Sequence, residues 1–297
     1  MSRPASRLVV LITGATSGIG RFTALHLKAA GHHVIGTGRN EKALAELRSQ
    51  GLDAVVMDVT QDASVEAAKQ EIDRLTQGHG VDVLVNNAGY GLWGPIEMLT
   101  DEDVRAQYET NVFGVLRVTR AFLPAMRARG RGRIVNVSSV GGRMTFPLGG
   151  IYNSTKYAIE SISDALRMEV KQFGIDVSIV EPGYIKTEFT ARTMDVSSKY
   201  GADPSSPYHA AMARFAEAAG SADKVAVGPS SVARAITHAA TGWWPRARYV
   251  APFYNAMGPV MLSVFPTFVT DWVFRRIAGL NRTSPALAPS ARSALAA

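Results

Sequence analysis

Tyr152 and Lys156 stand four residues apart in the segment Tyr152-Asn153-Ser154-Thr155-Lys156. If that segment is helical, the phenol and the ammonium share one face and reach the same point. Nine Tyr and eight Lys in 297 residues make such a pair a weak signal by itself, so its surroundings decide. A second constellation is Thr13-Gly14-Ala15-Thr16-Ser17-Gly18-Ile19-Gly20. Glycines let a backbone approach a pyrophosphate closely, and a helix opening there offers unpaired N–H groups and the positive end of its dipole. The spacing is G-x3-G-x-G rather than G-x-G-x-x-G, and a glycine-rich turn without a ligand is the plainer alternative. About 20 residues further on, an NAD site would set an acid against the ribose 2′-hydroxyl. This chain has Gly36-Thr37-Gly38-Arg39-Asn40 instead. The guanidinium fork of Arg39 matches a phosphate, which favours NADPH over NADH; a solvated surface arginine is the alternative.

These groups need a scaffold that gathers them. Six short runs rich in Val and Ile, at 8–13, 33–37, 54–59, 81–86, 133–138 and 176–181, read as strands buried on both faces. Helical patterns lie between them at 20–30, 41–50, 64–77, 100–129 and 152–173, with Gly31, Gly51, Gly78 and Gly174 as stops. Such alternation predicts an α/β fold: one doubly wound, Rossmann-type domain with a parallel sheet and helices on both faces. Ligands bind beyond the carboxyl ends of such strands. The glycine-rich loop, Asn86-Asn87-Ala88-Gly89, Ser139, and Pro182-Gly183 with Thr187 all fall at predicted strand ends, while Asn111 sits inside a predicted helix. The domain is placed at 1–253, with weak periodicity over 188–227 apart from a short helix at 208–219. An apolar extension follows at 254–280. A Ser/Ala/Pro-rich tail at 281–297 is expected to be disordered.

Composition narrows the classes. Hydrophobic residues make up 46% and charged residues 19%, enough apolar content for a sizeable core. The absence of cysteine removes disulfides, thiolate metal sites and thiol nucleophiles. Six histidines show no metal-ligand spacing, so no metal is implied. The net charge of +7 is concentrated at the end: from Ala240 onward there are six Arg, no Lys and one Asp, a net +5. That is not the basic face of a nucleic-acid binder. The first residues do not resemble a signal peptide, so a cytoplasmic location is expected, with membrane association left open. Twenty-two uncharged residues at 249–270 approach the length of a bilayer span, but Pro252, Pro259 and Pro266 interrupt them.

Taken together, TGxxxGxG, NNAG, the mid-helix Asn, the Ser–Tyr–Lys set and PG-x3-T resemble the short-chain dehydrogenase/reductase family, in its order and spacing. The resemblance is strong from Leu8 to Thr187 and looser to about Pro252. It implies that Tyr152 acts as general acid towards a carbonyl oxygen, or as base in reverse. Lys156 would favour the tyrosinate electrostatically and bind the nicotinamide ribose. Ser139 would hydrogen-bond the substrate oxygen, and Asn111 would hold a water in a proton relay. Gly14, Thr16, Ser17, Gly18, Ile19 and Gly20 would line the pyrophosphate, and Arg39 and Asn40 the 2′-phosphate. Asp58 with Val59 would meet the adenine, although Asp58 as a helix cap is the equal alternative. Asn87, Ala88, Gly89, Pro182 and Gly183 would line the cofactor, and Thr187 its carboxamide. Homo-oligomers built on the long helices are a further implication.

The loops Tyr90-Gly91-Leu92-Trp93-Gly94-Pro95-Ile96-Glu97 and Val140-Gly141-Gly142-Arg143-Met144-Thr145-Phe146-Pro147 are largely apolar. They are similar to the 17β-hydroxysteroid and retinol dehydrogenase branch. Trp93 would then face a steroid-, retinoid- or ketone-like substrate, against ordinary loop packing as the alternative. The stretch 249–276 reads either as an interfacial anchor with Arg275 and Arg276 facing anionic lipid, or as a lid or dimer contact. The activity implied is NADP(H)-linked interconversion of a carbonyl and an alcohol on a lipophilic substrate. An NAD-dependent enzyme and a catalytically silent NADP-binding sensor are the alternatives.

Overall fold

The computed structural model describes residues 7–280; the tail expected at 281–297 lies outside them. Seven strands form one sheet: β1 (Val9–Ile12), β2 (His33–Gly38), β3 (Asp53–Val56), β4 (Val83–Asn86), β5 (Gly132–Val137), β6 (Ile175–Pro182) and β7 (Arg248–Ala251). Every pairing is parallel, in the order β3-β2-β1-β4-β5-β6-β7. The helices are α1 (Gly18–Ala29), α2 (Glu41–Ser49), α3 (Asp62–Leu75), α4 (Asp101–Tyr108), α5 (Gly114–Ala128), α6 (Gly150–Val170), α7 (Glu188–Ser197), α8 (His209–Val225), α9 (Ser230–Thr241), α10 (Met257–Val264) and α11 (Thr267–Ile277). This is the doubly wound, Rossmann-type fold.

Strand alternation divides the core between the two faces. Val10, Ile12, Val83 and Val85 pack with Leu27, Leu47 and Ile236 of α1, α2 and α9. Leu11 and Leu84 point the other way, onto Ile72, Phe122 and Val170 of α3, α5 and α6. Local chemistry opens three helices: Asn40 caps α2 from Ala43 N–H, Thr100 caps α4 from Asp103 N–H, and Thr187 caps α7 from Phe189 N–H. Gly174, at φ +70°, closes the turn after α6, and a Cβ there would lie 2.3 Å from the Gly130 carbonyl oxygen.

Several boundaries differ from expectation. The third strand stops at Val56 rather than running to 59, because the chain leaves β2 once Met57 N–H has bonded Gly38. The helix expected at 100–129 is broken by a π-helical turn, Glu109–Phe113. The helix expected at 208–219 runs on to Val225, and the weakly periodic stretch before it contains α7. β7 is not among the expected strands: Tyr249–Ala251 runs on without a break into the uncharged stretch 249–270, and pairing with β6 marks it off as a strand.

Candidate active site

β1 lies between β2 and β4, so the chain order reverses there and the sheet opens a crevice at its carboxyl end. The segment after β4 grips the loop after β1. Thr13 Oγ1 accepts from the N–H groups of Asn87 and Ala88, both at 3.0 Å. Asn87 Nδ2 donates to the carbonyls of Thr13 at 2.9 Å and Gly14 at 3.1 Å. Gly14 takes φ +64°, and a Cβ on it would meet Ala88 Cα at 2.9 Å, so a side chain is excluded on two grounds. Gly20 packs beneath the loop, where a Cβ would lie 2.3 Å from the Gly14 carbonyl oxygen.

Thr16, Ser17, Gly18 and Ile19 line a cleft of about 930 Å³ together with Arg39, Asp58, Val59, Asn87, Ala88 and Gly89. Ser17 precedes α1 without a side-chain cap, which leaves backbone N–H groups to other acceptors. One of them, Gly18 N–H, donates to Glu188 Oε2 at 2.9 Å. A carboxylate on this helix N-terminus indicates the kind of anion it accepts, and the glycine cradle and donor set fit a nucleotide pyrophosphate. Arg39 Nη1 lies 3.6 Å from Asp58 Oδ2. Partial burial works to raise the Asp58 carboxyl, but hydrogen bonds from Thr60 and the charge of Arg39 hold it below the usual range. Asn40 does not border the cleft; its Oδ1 instead accepts from Ala43 N–H at 3.1 Å.

The phenol, ammonium and hydroxyl do meet. Tyr152 and Lys156 lie one turn apart on α6, with Lys156 Nζ 5.9 Å from the Tyr152 ring centroid. Lys156 Nζ donates to the Val137 carbonyl at the end of β5 at 3.0 Å. Ser139 Oγ accepts from Gly141 N–H at 3.0 Å, donates to the Pro182 carbonyl at 3.5 Å and borders the same cleft as the phenol. Beneath them a buried amide ladder fixes the strand ends. Asn86 Nδ2 reaches Asn136 Oδ1 at 2.9 Å and Thr119 Oγ1 at 3.1 Å, and Asn136 Nδ2 reaches Ser163 Oγ at 2.8 Å. Asn111 sits in the π turn, donates to the Tyr90 carbonyl and Thr155 Oγ1, and accepts from Tyr90 N–H. It does not border the cleft; it stands behind Gly89, on the side where Lys156 Nζ also approaches.

Burial pushes the Tyr152 phenol up to about 12, with the Ser139 hydrogen bond pulling the other way. Burial pulls the Lys156 ammonium down to about 8, opposed by the Glu160 carboxylate one turn along α6. Burial is the larger influence on the phenol and the Ser139 hydroxyl the smaller. A phenol in that state is a proton donor at neutral pH.

The dryness has a visible source. Trp93 stacks on Phe215 at 4.6 Å, and its ring centroid lies 6.2 Å from Tyr152 and 6.4 Å from Phe146. Phe189 approaches Tyr152 at 5.9 Å as well. Pro182, Gly183 and Thr187 border the same cleft. Gly183 leaves room for the Asn255 side chain, since a Cβ there would fall 1.9 Å from Asn255 Nδ2. Asn255, Phe274 and Ile277 line the cleft too, and no spacing in the sequence pointed to them. Among the described residues no three His, Cys, Asp or Glu side chains gather as a metal site would need.

The profile of the family described as short chain dehydrogenase matches residues 8–197. The chain is 35% identical over 268 residues to the uncharacterized oxidoreductase YbbO of Escherichia coli (strain K12), covering 90% of this chain and 93% of that one. It is 38% identical over 280 residues to retinol dehydrogenase 16 of Homo sapiens, covering 88% and 86%. Among solved structures, a short-chain dehydrogenase from Streptomyces avermitilis superposes with a TM-score of 0.73 at 33% identity, covering 90% of this chain and 96% of that one. The closed form of serine dehydrogenase complexed with NADP+ gives 0.70 at 28% identity, covering 82% and 94%.

Proposed function

Because the chain belongs to the short-chain dehydrogenase family, we propose that it is an NADP(H)-dependent oxidoreductase interconverting a carbonyl and an alcohol on a lipophilic substrate. The observation that carries this reading is the convergence of Ser139, Tyr152 and Lys156 on the cleft that the glycine loop also borders. When bound, the nicotinamide supplies or accepts the hydride. Ser139 holds the substrate oxygen, and Tyr152 gives it a proton, staying protonated because its surroundings are dry. Lys156 stabilises the negative charge left on the phenol oxygen and, with Thr187, is assigned to hold the nicotinamide half. Asn111 is assigned to the proton path behind Lys156. Thr16, Ser17, Gly18 and Ile19 are assigned to the pyrophosphate, Arg39 to the 2′-phosphate, and Asp58 and Val59 to the adenine. The aromatic wall of Trp93, Phe146, Phe189 and Phe215 supports an apolar substrate. Exposed Phe113, Tyr157 and Met168 on and beside the long helices support pairing of two copies there.

Tyr152→Phe tests the reading. The variant keeps NADPH binding and loses turnover about 10²- to 10⁴-fold, the usual worth of a general acid. Undiminished turnover overturns the assignment.

A further inference from the structure

After β7 the chain crosses the carboxyl end of the sheet as α10 and α11, and these two helices roof the substrate half of the cleft. Their inner side is accounted for: Gly258, Phe274 and Ala278 line the cleft, and Phe274 meets Phe146 edge-on at 5.3 Å. The outer side is not. A helix on a protein surface ordinarily turns polar residues to water, yet α10 contains no charged residue at all. Val264 and Phe268 are each 74% exposed and Trp272 is 60% exposed, with Met257, Met261 and Phe265 beside them in sequence and exposed as well. An apolar surface of that kind marks an interaction site. Its charges are one-sided: Arg275 and Arg276 close α11, Asp271 is its lone acid, and the Arg276 guanidinium lies 5.5 Å over the Trp272 ring.

We propose that the outer face of α10–α11 lies on an anionic lipid surface, so that the cleft beneath it takes its apolar substrate from the bilayer. A bilayer supplies both missing complements, an apolar layer for Phe268 and Val264 and negative headgroups for the two arginines. A second copy of the chain would supply only the first, because it brings the same arginines and the same single aspartate. An arginine stacked on a tryptophan suits the headgroup boundary, where one end is apolar and the other wet. The contact is peripheral, since no helix among the described residues is long and apolar enough to cross a membrane. Delivery of substrate rests on the oxidoreductase reading; attachment to lipid does not.

The test is flotation of the full chain with phosphatidylcholine vesicles, with and without phosphatidylglycerol. The protein is expected to float with the anionic vesicles, and Arg275→Ala/Arg276→Ala to weaken that binding about 30-fold at low salt, each arginine near the surface being worth roughly a tenfold or lesser factor. Phe268→Ser is expected to abolish flotation while NADPH oxidation with a water-soluble ketone continues. Loss of flotation accompanied by loss of the folded circular dichroism spectrum is resolved by the arginine variant, whose two exposed side chains give up one hydrogen bond to the Leu280 carbonyl and the stack on Trp272 but are not themselves buried. A folded wild-type chain that stays with the buffer overturns the proposal, as does self-association that Phe268→Ser abolishes without any lipid binding. Flotation without turnover on any carbonyl sinks the redox reading and leaves the lipid contact standing.

Discussion

At Lys156 two opposing influences set the working range. Burial lowers the ammonium to about 8, and the Glu160 carboxylate resists that fall. Tyr152, pushed up to about 12, titrates much later, so the lysine and not the phenol governs the alkaline limb. Carbonyl reduction is expected to decline as pH rises through about 8. Glu160→Gln removes the opposing anion and should move that limb to lower pH, measured as kcat/KM against pH; Glu160→Asp should restore it. An unmoved limb shows that Glu160 acts only through packing. At Arg39 the choice is between a ligand phosphate and Asp58, 3.6 Å away. Arg39→Ala should weaken NADPH by about 1–2 kcal/mol, roughly five- to thirtyfold, and leave NADH nearly untouched. Equal losses for both nucleotides in a binding titration count against the 2′-phosphate contact.

At the scale of elements, α7 is tied to the glycine loop by its first residue. Glu188 accepts from Gly18 N–H, the donor that a pyrophosphate would use on the proposed reading, so a nucleotide bound there would have to displace it. Glu188→Ala is expected to tighten NADPH about threefold to tenfold, because one exposed hydrogen bond no longer competes; weaker binding would make Glu188 a ligand instead of a competitor. A second tie holds the edge strand. Arg248 of β7 reaches Asp164 at 2.5 Å, Glu160 at 3.1 Å and the fully buried Glu181 at 3.3 Å, while Arg143 stands 3.6 Å from Glu181. Burial, then the Glu160 charge, raise Glu181 to about 7 against the pull of both arginines. A carboxyl whose pKa is raised on folding stabilises most below its unfolded value near 4.5, and that contribution fades as pH climbs to 7. Glu181→Gln should therefore remove a fall in Tm between those pH values, seen by thermal melts across the range. The asparagine ladder of Asn86 and Asn136 does the same service without charge, anchoring β4 and β5 under the site.

For the molecule as a whole, the cleft spans both halves of the sheet, so filling it should stabilise the entire fold. NADPH at a hundredfold excess over its dissociation constant is expected to add about 2.7 kcal/mol, a rise in Tm of several degrees; NADH at the same concentration should add less. A chain whose Tm ignores both nucleotides does not bind them in this cleft. The parallel sheet and its flanking helices were legible because buried strands and amphipathic helices each leave a local period. β7 was not, since residues 248–251 become a strand only by lying against β6. The π turn at 109–113 was hidden for a related reason: helix period cannot register one extra residue in a turn.

Spacing along the chain was enough to put Tyr152 and Lys156 on one face and the glycines at a helix start, because backbone geometry alone imposes those relations. It could not say how dry the phenol would be, that Asn255 and Phe274 return to the same cleft, or that Glu188 would sit on Gly18. Those facts arise where segments far apart in sequence pack together, and burial, which sets both the acidity of Tyr152 and the exposure of α10–α11, exists only once the chain has closed on itself.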